Sequence, residues 1–144
     1  EVTILSGRLQ SKIDKDWTTV RTDWLSTPEG EIRQAKEASQ FYRLLFSHPS
    51  VEAITWWNLT DRITWLGAPA GLLHKDMTPK PAYDAIKKLI KHDWWTGPLE
   101  LKTDDKGCVK FHGFLGDYAI EYAKGRGQFK LDRPQNAEKT VIVH

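Results

Sequence analysis

The chain has 144 residues, a formal net charge of +2 and one cysteine, and these figures exclude several classes of protein. Its length suits one ordinary domain or two small ones. The small net charge, with Lys and Arg scattered along the chain, gives no support to a nucleic-acid partner. The single cysteine, Cys108, excludes a disulfide bond within the chain and leaves the redox compartment open.

No stretch of the sequence suits a membrane helix or a metal ion. The apolar runs fall well short of the roughly 18 residues that a membrane helix needs. The histidines and Cys108 have no spacing typical of zinc ligands, so we expect no metal site. The N-terminus lacks the basic and apolar regions of a signal peptide and does not begin with Met. We therefore expect a processed chain or a part of a longer one.

The first part of the chain predicts a strand, a long loop and a helix. Residues 2–5 are a short apolar run with β-branched side chains, typical of a strand. Residues 6–26 are mostly polar, and loops of this length are usually functional or mobile. The hydroxyl, proline and acidic residues of 26–31 predict a helix start, and Pro49 predicts its end. The periodicity predicts this apolar face: Ile32, Ala35, Ala38, Tyr42 and Leu45.

A second strand and helix are predicted next. Residues 51–57 are rich in β-branched side chains and carry few charges, which favours a buried parallel strand. Residues 59–78 form a loop punctuated by glycine and proline, and Pro79 and Pro81 open a last helix. We expect its apolar face to hold Tyr83, Ile86, Leu89 and Ile90. The order strand, helix, strand, helix predicts an α/β fold with a parallel sheet covered by helices.

The composition changes at residues 96–98, Thr-Gly-Pro, which favours a domain boundary there. Beyond it, short alternating runs are separated by turn residues such as those at 104–107 and 125–127. The predicted strands are residues 99–102, 109–114, 118–122, 128–131 and 140–143. Strands of this length and spacing predict a small antiparallel β-sandwich.

The tryptophans between residues 51 and 83 are the strongest indication of function. Trp56 and Trp57 are neighbours on a predicted strand and must point to opposite faces, so at least one meets solvent, a ligand or a second layer. A third tryptophan, Trp65, follows a polar turn. Flat aromatic faces at the carboxyl end of a strand bind sugar rings well, which favours a carbohydrate-active protein. The alternative is that these rings fill the core.

Residues 54–66, I-T-W-W-N-L-T-D-R-I-T-W-L, and 71–83, G-L-L-H-K-D-M-T-P-K-P-A-Y, resemble the end of a known barrel. They are similar to the last strand and helix of the (β/α)8 barrel of glycoside hydrolase family 10, the endo-β-1,4-xylanases. Residues 34–49 resemble the seventh helix of that family, and residues 104–122 resemble a small β-domain appended to some members. Asn58 departs from the glycine that most members have at that position.

The resemblance implies an α/β fold made of two parts. Residues 1–96 would be the last two βα units of a TIM (β/α)8 barrel, from strand seven to helix eight. Residues 97–144 would be a small antiparallel β-sandwich domain. The resemblance also implies a retaining glycosidase of β-1,4-xylan that needs no cofactor and no metal.

Site residues follow from the resemblance position by position. Glu1 matches the family nucleophile by its distance from the seventh helix and the eighth strand, although an N-terminal Glu is often only a solvated residue. Trp57 and Trp65 match the aromatic wall around the sugar, and Asn58 and Arg62 are expected to bind substrate. The alternative role of each tryptophan is to pack in the core. The alternative for Arg62 is to pair with Asp61 or to contact solvent.

A retaining glycosidase needs two carboxyl groups about 5–5.5 Å apart. The family acid/base lies in an Asn-Glu pair on the fourth strand, and no such pair occurs in this sequence. Asp61 is the best-placed other carboxylate, but holding the turn and Arg62 in place is its more ordinary role. We therefore expect this chain to be inactive on its own.

Two alternatives to the enzyme interpretation stay open. One is a non-catalytic carbohydrate-binding module, and the other is an oligomerising fragment. The expected partner is a xylan-like polysaccharide, with neither nucleic acid nor membrane. Because two parallel strands cannot close a barrel, we also expect self-association or complementation by the missing part of the barrel. The family resemblance implies a secreted or periplasmic location.

Overall fold

The computed structural model describes residues 1–7, 18–123 and 125–132. The chain divides into two units, residues 1–93 and residues 94–144. The first unit contains helices α1, Pro28–Phe46, and α2, Pro81–Lys88. The second contains strands β1, Gly116–Tyr122, and β2, Gly125–Leu131.

The start and the end of α1 are where the sequence predicts them. Thr27 is the N-cap, and its hydroxyl accepts a hydrogen bond of 3.1 Å from the backbone N–H of Gly30. Pro28 occupies the first turn, where its missing N–H costs nothing. Glu29 and Glu31 lie near the positive end of the helix dipole. The helix ends at Phe46, three residues before Pro49.

The buried face of α1 matches the predicted one at Ala38 and Tyr42 and differs from it in the first two turns. Gly30, Gln34, Ala38 and Tyr42 are buried, at intervals of four residues, whereas Ile32 is 67% exposed. The reason lies in the first turn, where a Cβ at position 30 would collide with the carbonyl oxygen of Ser6. Only glycine permits this approach, so it fixes which side of the helix faces inward. Burial raises the pKa of the Tyr42 phenol above its usual range.

The two predicted strands of the first unit meet in one parallel bridge, between Val2 and Trp56. The N–H of Val2 donates to the carbonyl of Thr55 at 2.8 Å, and the N–H of Trp57 donates to the carbonyl of Val2 at 3.0 Å. The predicted parallel direction is confirmed. The prediction of a buried strand over residues 51–57 is wrong for the described chain, because none of these residues is buried. A barrel strand becomes buried when both its edges and both its faces are covered, and here the described residues pair on one edge.

Helix α2 begins at the predicted proline and continues into a wider turn. Lys80 is its extended N-cap, Pro81 is its first residue, and a π-helical turn, Leu89–Asp93, follows it. Ile86 and Leu89 are buried, as predicted, and Ala82 is buried as well. Ile90 is 44% exposed, contrary to prediction, because the π turn rotates it off the inner face. Helices α1 and α2 pack against each other.

The described part of the second unit is built on one antiparallel hairpin. In its register Tyr118 lies opposite Phe129, with ring centroids 5.2 Å apart and nearly parallel planes. Phe111 completes an aromatic cluster on this face, 5.5 Å from Tyr118. The other face carries the facing opposite charges Asp117↔Lys130 and Glu121↔Arg126, an arrangement that favours an antiparallel pair.

Several predicted elements of the second unit are corrected by the structure. Residues 99–102 and 109–114 are not strands, and residues 125–127 belong to β2 instead of to a turn. Gly127 pairs with Ile120 within the hairpin, so this glycine lies in a strand and not in a chain reversal. The turn at residues 104–107 is confirmed, with Gly107 at φ 75°. The predicted strand 140–143 lies outside the described residues, so the β-sandwich and the domain bounds 1–96 and 97–144 stay predictions.

Asp93 anchors the π turn to α1 and gives the first unit a pH-dependent contact. Its Oδ2 accepts a hydrogen bond of 2.8 Å from Nη2 of Arg43, and its Oδ1 lies 3.5 Å from Nζ of Lys88. The hydrogen bond from Arg43, helped by the charge of Lys88, lowers the pKa of Asp93 below its ordinary value of 3.8.

We predict that Asp93→Asn lowers the melting temperature slightly at pH 7 and has less effect in acid. A carboxyl group whose pKa is lower in the folded state stabilises the fold at pH values above its pKa in the unfolded state. This contribution is lost as the pH falls through the pKa of the folded state. The difference from wild type should therefore shrink below about pH 3.8. Thermal unfolding followed between pH 2 and pH 7 measures it, with Glu52→Gln as the control for losing one exposed negative charge. An unchanged difference across that range would contradict the assignment.

Candidate functional site

The candidate site lies on one face of the Val2–Trp56 bridge. Neighbouring residues of a strand alternate between faces, so Val2 and Trp56 share the face toward the helices. Val2 is 5% exposed, and the ring of Trp56 lies 6.4 Å from that of Tyr42 on α1. Trp56 therefore faces the helical layer, which leaves Trp57 as the neighbour on the other face.

Glu1 and Trp57 share the opposite, exposed face. Each is the direct neighbour of a bridge residue, and both side chains are exposed together with those of Thr3 and Thr55. Trp57 is 58% exposed, and its backbone N–H is bonded to the carbonyl of Val2, the residue after Glu1. The structure thus places the candidate nucleophile and the first candidate sugar-binding ring on one surface.

Trp65 is the second exposed ring, and it stands on a tight turn. It opens a 3-10 turn, Trp65–Gly67, and its side chain is 56% exposed. The residues that follow, Leu66, Ala68 and Ala70, are buried. Trp65 is therefore not a core residue, which was the alternative for this ring.

Asn58 and Arg62 lie on the segment that joins the two rings. Asn58 is partly buried, and Arg62 is exposed. The Nε of Arg62 donates to the carbonyl of Lys75 at 2.6 Å, so the guanidinium is tethered to the loop that precedes α2. The expected pairing of Arg62 with Asp61 is wrong, because the Asp61 carboxylate has other partners. Two nitrogens of the Arg62 fork are left to reach a ligand hydroxyl.

Asp61 forms a buried ion pair with Lys80. Lys80 is fully buried and Asp61 is 7% exposed, and Nζ of Lys80 lies 2.6 Å from Oδ2 of Asp61. The other oxygen, Oδ1, accepts a hydrogen bond of 2.7 Å from the N–H of Gly71. Both oxygens are therefore committed, and Asp61 holds the turn in place, as its more ordinary interpretation predicts. It is not positioned to act on a substrate.

A chain of buried hydrogen bonds extends from Lys80 to the start of α1. Nζ of Lys80 also donates to the hydroxyl of Ser6 at 2.9 Å, and that hydroxyl donates to the carbonyl of Pro69 at 2.8 Å. The hydroxyl of Ser26 lies 2.7 Å from the Ser6 hydroxyl and 2.7 Å from Oε1 of Glu31, and its one proton can be donated to either of them. The loop after the first strand, the 69–71 segment and both helix starts thus share one polar network.

Gln34 and Arg33 close this network from α1. The amide of Gln34, fully buried, donates to the carbonyls of Ile4 at 2.7 Å and Gly71 at 3.3 Å. Nη2 of Arg33 donates to the carbonyls of Leu5 and Gly7. Backbone groups that a neighbouring strand would satisfy in a regular sheet are satisfied here by side chains of the helix.

Sequence reasoning missed Lys80 as a site residue. Its place before Pro81 indicated a helix start, which the structure confirms, but not a buried cation. A lysine is buried almost only when it is paired with an acid, and the partner of Lys80, Asp61, lies 19 residues earlier, so the sequence gives no signal for the pair. Ser6 and Gln34 carry no signal in the sequence either.

The chemistry of the site is that of a binding surface with one exposed carboxylate. Glu1 is exposed and lies beside an aromatic ring surface, where a carboxylate can approach a bound ligand. Within the described ranges, no group of three or more His, Cys, Asp or Glu side chains is arranged to hold a metal ion. In the same part of the chain, no helix has the length and apolar character to cross a membrane.

Comparison with known proteins assigns the family. The model of glycosyl hydrolase family 10 matches residues 14–89, which include both exposed tryptophans and the Asp61–Lys80 pair but not Glu1. The chain belongs to glycosyl hydrolase family 10. It is also 33% identical over 109 residues to a protein named anti-sigma-I factor RsgI6, from Acetivibrio thermocellus. That match covers 75% of this chain and 14% of the relative, so the chain spans about a seventh of the relative's length.

We predict that Lys80→Met destabilises the first unit by about 3–5 kcal/mol, because removing one partner of a buried ion pair leaves the other charge unpaired. The matched control is Lys88→Met, since the Lys88 side chain is 70% exposed and its contact with Asp93 is a surface pair. Surface pairs contribute about 0–1 kcal/mol, so the control should unfold almost as wild type does. Urea denaturation measures both variants.

The double variant Asp61→Asn/Lys80→Met separates pairing from burial. With both charges removed, the loss of stability should be clearly smaller than the sum of the two single losses. Equal effects of Lys80→Met and Lys88→Met, or strictly additive losses at residues 61 and 80, would show that the ion pair does not hold the turn.

Proposed function

We propose that this chain is the sugar-binding edge of a β-1,4-xylan-directed barrel, and that Trp57 and Trp65 stack on the xylan backbone. One observation carries the proposal: both rings are more than half exposed while the backbone beneath them is fixed by a buried ion pair. Large exposed aromatics on a rigid frame are suited to a ligand whose C–H faces are apolar and whose rim is polar. Membership of glycosyl hydrolase family 10 supports a polysaccharide as that ligand.

The polar residues between the rings suit the rim of a sugar. Arg62, tethered through its Nε, presents two further nitrogens, and Asn58 offers both a donor and an acceptor. Sugar hydroxyls need such partners, because a hydroxyl that loses water on binding costs free energy unless it is hydrogen-bonded. We propose that Asn58 and Arg62 orient the chain of sugars that the tryptophans hold.

In the complete enzyme, Glu1 would be the nucleophile of a retaining hydrolysis. Its carboxylate would form a bond to the anomeric carbon while the glycosidic C–O bond breaks and an acid elsewhere protonates the leaving oxygen. Water, deprotonated by the same acid/base, would then release the sugar. The exposure of Glu1 on the face of Trp57 supports this role. The family match begins at residue 14 and does not include Glu1, so the proposed role of Glu1 as nucleophile rests on its position in the fold.

We propose that the chain alone binds xylan without hydrolysing it. The sequence contains no Asn-Glu pair to serve as acid/base, and Asp61 is committed to Lys80 and Gly71. Self-association, or complementation by the rest of a barrel, would cover the open edge of the Val2–Trp56 bridge. Because the polysaccharide is extracellular, we propose action outside the cytoplasm.

The second candidate is a non-catalytic glycan-binding module within a regulatory protein. The relative named anti-sigma-I factor RsgI6 favours it, since a glycan-binding segment in such a protein would report the presence of polysaccharide. A reducing-sugar assay on xylan, run with the chain complemented by the missing part of the barrel, separates the two candidates, because the chain alone is expected to be inactive in both. Turnover that is lost in Glu1→Gln supports the enzyme, whereas binding without turnover supports the module.

We predict that Trp57→Ala and Trp65→Ala each weaken retention on insoluble xylan by about tenfold, as expected when one aromatic stacking contact is lost. The matched control is Trp95→Ala, since Trp95 is 56% exposed but lies in the second unit. Depletion of the protein from solution over a series of xylan concentrations measures the affinity. Normal retention of both first-unit variants, or an equal loss in Trp95→Ala, would contradict the proposed surface.

A further inference from the structure

The turn that carries Trp65 contains two left-handed residues in a row. Leu66 has φ 53° and ψ 20°, and Gly67 has φ 71°. Leucine in this region is energetically costly and persists only where the surroundings hold it. Such positions are concentrated at functional sites, so the strain beside an exposed binding ring calls for an explanation from its neighbours.

The neighbour that holds the turn is the backbone of Arg21. Its N–H donates to the carbonyl of Leu66 at 2.9 Å, and its own carbonyl oxygen occupies the place where a Cβ on residue 67 would lie. Arg21 belongs to the long loop between the first bridge residue and α1, which sequence analysis expects to be functional or mobile. The loop thus contacts the main chain of the Trp65–Gly67 turn through Arg21.

Hydrogen bonds on both sides of Trp65 close the turn. The N–H of Gly67 donates to the carbonyl of Thr64 at 3.2 Å, and the N–H of Ala68 donates to the carbonyl of Trp65 at 3.0 Å. Leu66 and Ala68 are buried, at 9% and 4% exposure. The backbone of this turn sets the direction in which the Trp65 side chain, 56% exposed, leaves the main chain.

We propose that Leu66 and Gly67 are positioning residues, which hold the Trp65 indole in its sugar-stacking orientation through their contact with the backbone of Arg21. The proposal rests on the proposed function, because it assumes that Trp65 stacks on xylan. It makes a glycine at residue 67 necessary for binding, and it couples the 18–25 loop to the sugar surface. The contacts that hold the left-handed turn keep the ring fixed before the ligand arrives, which reduces the ordering cost of binding.

The test uses Gly67→Ala, whose new methyl group collides with the Arg21 carbonyl oxygen. Its matched control is Gly107→Ala, because Gly107 has a similar φ of 75° but a Cβ there would meet nothing within 4 Å. Both variants carry the cost of a left-handed alanine, and only the first disturbs the turn. Labelling with 5-fluorotryptophan gives each tryptophan a fluorine resonance, and Trp65→Phe identifies that of residue 65.

In Gly67→Ala we expect the Trp65 resonance to shift or broaden while the resonance of Trp95, which lies in the second unit and is assigned with Trp95→Phe, is unchanged. We expect neither resonance to change in Gly107→Ala. Affinity for linear xylohexaose, measured by calorimetry, should fall about tenfold, as in Trp65→Ala. The double variant Gly67→Ala/Trp65→Ala should bind no more weakly than Trp65→Ala, because both changes remove one interaction. A merely structural glycine would give losses that multiply.

An unchanged Trp65 resonance in Gly67→Ala, or multiplicative losses of affinity, would overturn the positioning role. Should Gly67→Ala lack a cooperative unfolding transition, Leu66→Gly decides: it removes the constraint at φ 53° and should broaden the same resonance. If Trp57→Ala and Trp65→Ala both bind xylohexaose as wild type does, the proposed function fails. The fluorine resonance then still decides whether the turn fixes the indole.

Discussion

The ion pair between Lys80 and Asp61 is the contact on which the first unit depends. Nζ of Lys80 is enclosed at 0% exposure and lies within 2.9 Å of both the Asp61 carboxylate and the Ser6 hydroxyl. A buried charge is costly unless it is paired and hydrogen-bonded, so the three residues are stable only together. They come from the loop after Val2, the turn after Trp57 and the N-cap of α2. The pair therefore fixes three segments that no continuous sheet holds.

The same network explains why the exposed rings are not a defect of folding. Exposed apolar surface on a soluble protein usually marks a site of interaction. Here the polar network lies within an apolar core that includes Leu72, Ala82 and Leu89, and the aromatic side chains of Trp57 and Trp65 occupy the surface. Packing Trp57 inward would require the Val2–Trp56 bridge to reverse its faces, since a shift of one residue moves every side chain of a strand to the other face. The bridge is held by two hydrogen bonds and by the Tyr42–Trp56 contact, so this exchange is opposed.

Features that depend on neighbours in the sequence were predicted correctly, and features that depend on distant residues were not. The N-cap at Thr27 and the proline starts at residues 28 and 81 depend on neighbours within four residues, and the sequence predicts them correctly. The inner face of α1 depends on the distant carbonyl of Ser6, so periodicity alone wrongly places Ile32 inside. At the site, alternation along the strand predicts that one of Trp56 and Trp57 is exposed, whereas the partners of Asp61 and Arg62 could not be deduced. Asp61 pairs with Lys80, and Arg62 bonds to the carbonyl of Lys75, because the fold brings these distant residues together.

The weakness of the parallel pairing has a physical consequence for how this unit is stabilised. Parallel strands are ordinarily buried on both faces and gain their stability from the helices that cover them. In the described chain one face of the bridge is covered and the other carries Glu1, Thr3, Thr55 and Trp57 to the surface. Side chains of α1 therefore take over the carbonyls of Ile4, Leu5 and Gly7 that a longer ladder would use. Helix-to-loop hydrogen bonds and the buried ion pair, and not an extended sheet, therefore hold the exposed surface that carries Glu1 and Trp57.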